Sequence, residues 1–303
     1  MFGTLSYISR SADAAGLASL PFVAWRAITG TVALLLVSAI IGHRLAGGGR
    51  LPDLRVLPID RRWALLAVSM CGALLNIAVF AAFLRTSIAV ALICFYTFPA
   101  MVTLAAVPLY GERLSRIRVG ALLLSSIGLV MVVLGPMVTG SALVIDPLGV
   151  GLALFGGACQ AAFVLIAGRG FKPMPVLHVS TFVVFAAAAL SLPLALLLGE
   201  LNGLLEPFSN GRAWVWILAG GITGAAIPTT MFITGIGLIG PSRAAILMTI
   251  EPLVGVALAG LLLGEQPIPL QLLGGAAVLA AAVVLQVAPR APVPATTELG
   301  PLV

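Results

Sequence analysis

One carboxylate sits where a carboxylate is costly. Glu251 lies inside the apolar run 241–263, immediately before Pro252. An ionised group in a bilayer interior costs about 3 kcal/mol or more, so such a residue is a functional candidate. A proline also removes an amide donor, which leaves a nearby helix carbonyl without its partner. A carboxylate beside an opened turn can bind a substrate amine or a proton. Protonated, it can equally cap the freed carbonyl or bond to a neighbouring helix. The residues leave both readings open. Pro99 stands inside another apolar run, 87–110, and Tyr96 lies three residues before it. A helix is expected to bend there, and the tyrosine ring can stack on a ligand. Pro99 and Pro252 are therefore candidate hinges.

Other polar groups fall inside apolar runs. Arg26 lies a few residues into its run. It can draw an anionic group inward or snorkel to the headgroups, and snorkelling is the preferred reading. Arg243 opens a run and is read as snorkelling, and His178 as interfacial. Asn76, Thr97, Gln160, Thr229, Thr230 and Thr249 either line a cavity or bond across helices, and helix bonding is the commoner role. The candidate substrate- or proton-binding set is Glu251, Tyr96, Arg26, Asn76, Gln160 and Thr229. The pairs Gly220/Gly224 and Gly255/Ala259 suit close helix packing and are not read as site residues.

The elements that must hold these groups follow from composition. Hydrophobic residues make up 61% of 303 residues and charged residues 9%, with a mean hydropathy of +1.18. A soluble domain has about 25% charged residues. So few charges cannot cover a water-facing surface, which excludes an ordinary soluble enzyme or a disordered chain. The apolar residues come in blocks of about 20, the length needed to cross a bilayer, rather than in alternating strands of about ten. The net charge of +6 lies in short loops, without the basic-aromatic interleaving of a nucleic-acid surface. Cys71, Cys94 and Cys159 sit inside apolar blocks and read as small buried residues.

Nine spans are expected, at 21–42, 63–84, 87–110, 117–135, 147–168, 176–199, 213–236, 241–263 and 269–288. Breakers separate them, among them Gly47-Gly48-Gly49, Pro58, Pro136, Pro173, Pro207 and Pro267. Trp63, Trp214 and Trp216 open spans, where indole rings favour the interface. Met1–Ser9 is a tenth, short apolar run, ended by Arg10 and Asp13. It reads as the second half of a first helix, apparently truncated. With that span starting in the cytoplasm, eleven basic residues fall inside, from Arg44 to Arg290, against Arg10, Arg85 and Arg212 outside. Both termini are then expected to be cytoplasmic.

The chain also repeats itself. Pro99 and Gly111-Glu112 recur as Pro252 and Gly264-Glu265, each at an offset of 153 (252 − 99). Gly120 and Gly274 follow in their respective halves. Five spans per unit is an odd number, so the second unit enters the membrane from the opposite side. The expected fold is an all-α integral membrane protein of ten transmembrane helices in two inverted five-helix repeats. The expected units are 1–140 and 141–290, with a cytoplasmic tail at 291–303.

The stretch Ala91-Leu92-Ile93-Cys94-Phe95-Tyr96-Thr97-Phe98-Pro99, running on to Tyr110-Gly111-Glu112-Arg113, resembles the fourth span of the EamA-type drug/metabolite transporters. Glu251-Pro252-Leu253, running on to Leu262-Leu263-Gly264-Glu265, resembles the ninth. Phe2-Gly3 resembles the aromatic-glycine pair of the first span, and Trp25-Arg26 the arginine that opens the second. The resemblance covers nearly the whole chain, and departs where the family has further residues before the aromatic-glycine pair. It implies a cavity built from spans one to four and six to nine, with spans five and ten outside. It also implies export of amino acids or related small metabolites.

The functional expectation is a secondary transporter exporting small metabolites across a bacterial cytoplasmic membrane by alternating access. A non-transporting sensor or scaffold and a membrane-embedded enzyme are the alternatives. An enzyme is not expected. No cofactor or metal is expected either. The one lysine, Lys172, follows Phe171, so no phosphate loop exists, and two histidines 135 positions apart form no metal helix. The expected partners are a small-molecule substrate and the lipid bilayer, without nucleic acid, with a homodimer as an admissible assembly.

Overall fold

A computed structural model describes residues 5–46, 53–111, 115–134, 145–263 and 268–287. Phe2-Gly3, Gly47 to Gly49, Glu112, Arg113, Pro136, Gly264-Glu265, Pro267, Arg290 and the tail 291–303 lie outside the described residues. Among the described residues the regular structure is helical. Lipid offers no hydrogen bonds, and a helix satisfies its backbone within itself.

The helices are α1 (Leu5–Ala14), α2 (Ser19–Ala46), α3 (Ile59–Phe83), α4 (Ile88–Phe95), α5 (Phe98–Tyr110), α6 (Arg116–Leu134) and α7 (Pro147–Ala167). After them come α8 (Val176–Leu197), α9 (Leu201–Ser209), α10 (Ala213–Gly221), α11 (Ile227–Ile239), α12 (Pro241–Leu247), α13 (Ile250–Leu263) and α14 (Pro269–Val287). A 3-10 turn, Leu54–Val56, precedes α3, and a π-helical segment, Ile222–Ala226, joins α10 to α11. Seven helical stretches among the described residues are long and apolar enough to cross a membrane.

The expected spans match these helices to within a few residues, with two corrections. Arg10 and Asp13 do not end the first run, because α1 continues through both to Ala14. The span expected at 63–84 starts earlier, at Ile59, which places Asp60 in the first turn of α3, where a carboxylate favours the helix dipole.

Two spans are interrupted. The α4–α5 span opens at Tyr96-Thr97, and the α12–α13 span at Met248-Thr249. Ile88 and Pro241, which open α4 and α12, are 153 positions apart. The same offset separates both ends of α6 from both ends of α14. In each interruption a threonine hydroxyl closes the last turn: Thr97 donates to the Cys94 carbonyl at 2.7 Å, and Thr249 to the Ile246 carbonyl at 2.7 Å.

The chain forms two compact units. The first holds the described residues up to Asn76 together with Ile166–Gly237, and the second holds Ile77–Leu165 with the described residues from Leu238 on. In the first unit α2 packs along α8, with Ala27, Leu34, Leu177, Val184, Ala188, Ala225 and Ala226 buried between them and the π segment. In the second, α6 packs along α14. They cross at two glycines. A Cβ on Gly128 would stand 2.6 Å from the Gly274 carbonyl oxygen, and one on Gly274 would stand 2.5 Å from that of Gly128. Without a hydrophobic drive between helices in lipid, such close approach supplies the van der Waals packing.

Gly274→Ala should therefore destabilise the protein by about 1–3 kcal/mol, because backbone and not a flexible side chain occupies the space. Gly151→Ala, whose Cβ would meet nothing within 4 Å, should be neutral or slightly stabilising. Thermal unfolding in detergent compares the two. Equal midpoints would remove the packing role.

Candidate functional site

Each unit gathers its own set of the candidate residues. In the first, Arg26 on α2 is buried at 6% exposure. Its Nη2 donates to Asn76 Oδ1 on α3 at 2.6 Å, and its Nη1 to the Gly224 carbonyl at 3.4 Å. Asn76 Nδ2 in turn donates to the Gly72 carbonyl at 2.7 Å, which fixes the oxygen toward the guanidinium. Sequence explains the Gly224 carbonyl. Pro228 lies four residues on and has no amide hydrogen to give it. The helix widens into the π segment there, and Ile227 N–H donates to the Ile222 carbonyl instead.

The snorkelling reading of Arg26 is thus corrected: its guanidinium is held among helices. Arg243 is buried too, at 7% exposure, so its snorkelling reading fails in the same way. His178 is half-buried on the first turn of α8.

The second unit assembles the two interrupted spans. Tyr96, at the opening of α4–α5, is hydrogen-bonded through its side chain to Glu251, in the first turn of α13. The phenol is the donor to an ionised carboxylate. The Tyr96 ring lies against Phe95 and Phe98, with centroids 5.2 and 5.9 Å away. Gln160 on α7 is buried, and its Nε2 lies 3.5 Å from Met248 Sδ, at the opening of α12–α13.

The carbonyls released by the two prolines have distinct fates. Pro252 withdraws an amide from Met248, whose carbonyl accepts the Glu251 backbone N–H at 2.9 Å. The Glu251 side chain meets Tyr96. Pro99 withdraws an amide from Phe95. A Cβ on Gly157 of α7 would stand 2.7 Å from that oxygen, so only glycine lets the two backbones meet.

Tyr96, Glu251, Gln160, Pro99 and Pro252 therefore share the second unit, and Arg26 and Asn76 the first. Thr229 is half-buried on α11 and enters neither hydrogen-bond set described here. Its neighbour Thr230 donates back to the Ala226 carbonyl at 2.9 Å. Sequence reading missed Gly157, Met248 and the Gly224 carbonyl. The signal for Gly224 was present, a proline four residues on, but Gly224 was read as packing alone. Gly157 carried no signal beyond lying one turn before Gln160.

Asn76→Ala should cost about 1.5–3 kcal/mol, the worth of a hydrogen bond to a charged group. Asn76→Asp keeps an acceptor oxygen and should retain most of the stability. Thermal unfolding reads both, and equal loss in the two variants would show that the oxygen does not hold Arg26.

Chemically, the second set offers a carboxylate, a phenol and aromatic faces inside an apolar protein. It can exchange a proton or receive a cationic amine. The first set offers a buried guanidinium held by neutral oxygens.

Comparison with known proteins extends this picture. The model of the EamA-like transporter family matches residues 1–134 and again 147–287. An uncharacterized transporter of Synechocystis sp. is 29% identical over 198 residues, which cover 63% of this chain and 56% of the relative's length. A solved crystal structure superposes with a TM-score of 0.71 at 22% identity, covering 94% of this chain and 92% of the other, a likeness of fold. With membrane-length helices and a family model matching both halves, the chain is a multi-pass membrane protein and belongs to the EamA-like transporter family.

Proposed function

We propose that this protein is a secondary transporter that exports small metabolites, amino acids or related compounds, across a bacterial cytoplasmic membrane by alternating access. The observation that carries the reading is the pair of helices interrupted within one residue of the same repeat position, with Tyr96 of one bonded to Glu251 of the other. Secondary transporters place their sites at discontinuous helices, where unsatisfied backbone and polar side chains are tolerated inside the membrane.

The architecture proposed is ten spans in two inverted five-helix repeats, 1–140 and 141–290, followed by a cytoplasmic tail. The offset of 153 between the starts of α4 and α12, and between both ends of α6 and α14, supports it. Loop contacts support the alternation of sides. Arg61 Nη1 donates to the Arg169 and Gly170 carbonyls at 2.8 and 2.7 Å, joining two loops expected inside. Asn210 Nδ2 donates to the Ala15 carbonyl at 2.9 Å, and Arg85 pairs with Asp146 at 3.6 Å, each joining loops expected outside. Both termini are then cytoplasmic.

In this mechanism Glu251 takes a proton or a substrate amine, with Tyr96 as its hydrogen-bond partner. Gln160 adds a polar contact beside the opening at Met248. Arg26, Asn76 and Thr229 are the substrate-binding candidates of the first unit. Pro99 and Pro252 are the hinges, since each prevents its helix from closing into one rigid rod.

Metabolite profiling of the medium should show one compound class enriched by the native chain and not by Glu251→Ala at matched membrane abundance. In proteoliposomes loaded with that compound, Glu251→Gln should lower pH-driven efflux at least tenfold. Unchanged efflux would remove Glu251 from the path. No enriched compound with the native chain would count against export.

A further inference from the structure

The span from α10 to α11 is clamped on one side of Pro228 and lacks a backbone tie across it. Ile217 on α10 is fully buried, in a cluster with Leu17 and Phe22. A Cβ on Gly30 of α2 would stand 2.9 Å from the Gly221 carbonyl oxygen, and one on Gly221 would stand 2.9 Å from the Gly30 amide nitrogen. Ala225 and Ala226 of the π segment are buried in the cluster that joins α2 to α8. The chain is therefore held on α2 as far as Ala226. Pro228 follows, and it withholds the amide that would tie the Gly224 carbonyl to the next turn. Arg26 meets that carbonyl from another helix, with Nη1 at 3.4 Å. The bond is long beside the 2.6 Å bond from Nη2 to Asn76 Oδ1, and beside an ordinary N–H···O length of about 2.9 Å. Arg26 thus holds Asn76 firmly and Gly224 weakly.

We propose that Arg26 is a ligand-operated latch on this span, and that the ligand is a carboxylate. A carboxylate accepts two parallel N–H···O bonds from a guanidinium and brings the opposite charge, so it outcompetes one neutral carbonyl at 3.4 Å. Pairing with it withdraws Nη1 from Gly224. The carbonyl then has no amide at Pro228 and no donor in lipid. The next N–H along its own helix past the proline is that of Thr229, five residues on. Reaching it carries the wide turn across Pro228 and re-aims α11, because a change of winding turns the axis of everything beyond it. Ligand binding is thereby coupled to bending of the span, at a π-helical turn of the kind that recurs at functional sites. The class of ligand rests on the transport reading, in which Arg26 is a substrate-binding candidate. The latch itself rests on the geometry of the first unit.

Hydrogen exchange of the full chain in detergent reads the latch without any transport. The reporter is the Ile227 N–H, which donates to the Ile222 carbonyl. Arg26→Met removes the guanidinium and should speed Ile227 exchange about tenfold or more, the effect of losing one hydrogen bond to a charged group. Adding Pro228→Ala should restore slow exchange, since alanine supplies the missing amide to Gly224. A general loosening of the fold would not be rescued in this way. In the native chain the probes are linear carboxylates from acetate to hexanoate at neutral pH, with their neutral amides as controls. A carboxylate should reproduce the effect of Arg26→Met, and no amide should. Pro228→Ala alone should abolish the response while the same carboxylate still raises the unfolding temperature. Unchanged exchange in Arg26→Met, or an increase that Pro228→Ala does not reverse, overturns the latch. Equal effects of carboxylates and amides, or no effect of any carboxylate, overturns the ligand. Failed export in proteoliposomes with both exchange results intact would count against the transport reading and leave the latch standing.

Discussion

A proline inside a membrane helix leaves a carbonyl without its amide, and the surrounding lipid has no donor to offer. Three prolines in this chain release carbonyls beside or against candidate functional residues. The Gly224 carbonyl, released by Pro228, accepts from Arg26. The Met248 carbonyl, released by Pro252, accepts from the Glu251 backbone N–H. The Phe95 carbonyl, released by Pro99, is approached by the backbone of Gly157. Polar groups gather at these places because each released carbonyl lacks the amide that a continuous helix would offer it.

The same constraint ties local structure to motion. An interrupted helix has fewer backbone bonds across the break than a continuous one, so it is the part of the bundle that bends most readily. The uninterrupted pairs provide the contrast. In the first unit α2 lies along α8 through alanine, leucine and valine. In the second α6 crosses α14 at Gly128 and Gly274 with backbones almost in contact. Stiff helix pairs and interrupted spans are both present in the second unit, which is the combination a hinge needs.

Each compact unit draws on both halves of the chain. Repeat-equivalent helices meet each other within one unit, as α6 and α14 do. A repeat in sequence therefore need not be a unit in space. In lipid, packing goes to whichever helix faces allow the closest approach, and these faces belong to partners far apart in the chain.

Much of this was legible in the residues. Long apolar blocks separated by prolines and loop charges place the spans, because a bilayer admits few other solutions. The breaks near Pro99 and Pro252 follow from the missing amide of proline, and the repeat offset of 153 is written in the chain. The partners of the polar side chains were not legible. Arg26 looks like a headgroup residue until α3 brings Asn76 within 2.6 Å. Tyr96 and Glu251 are 155 positions apart (251 − 96), and only the packing of their spans makes them neighbours. The helical period and hydropathy are local properties, so the sequence by itself determined where helices form and where they fail. Which groups meet across helices depends on close approach between distant segments, and only the tertiary structure decides that.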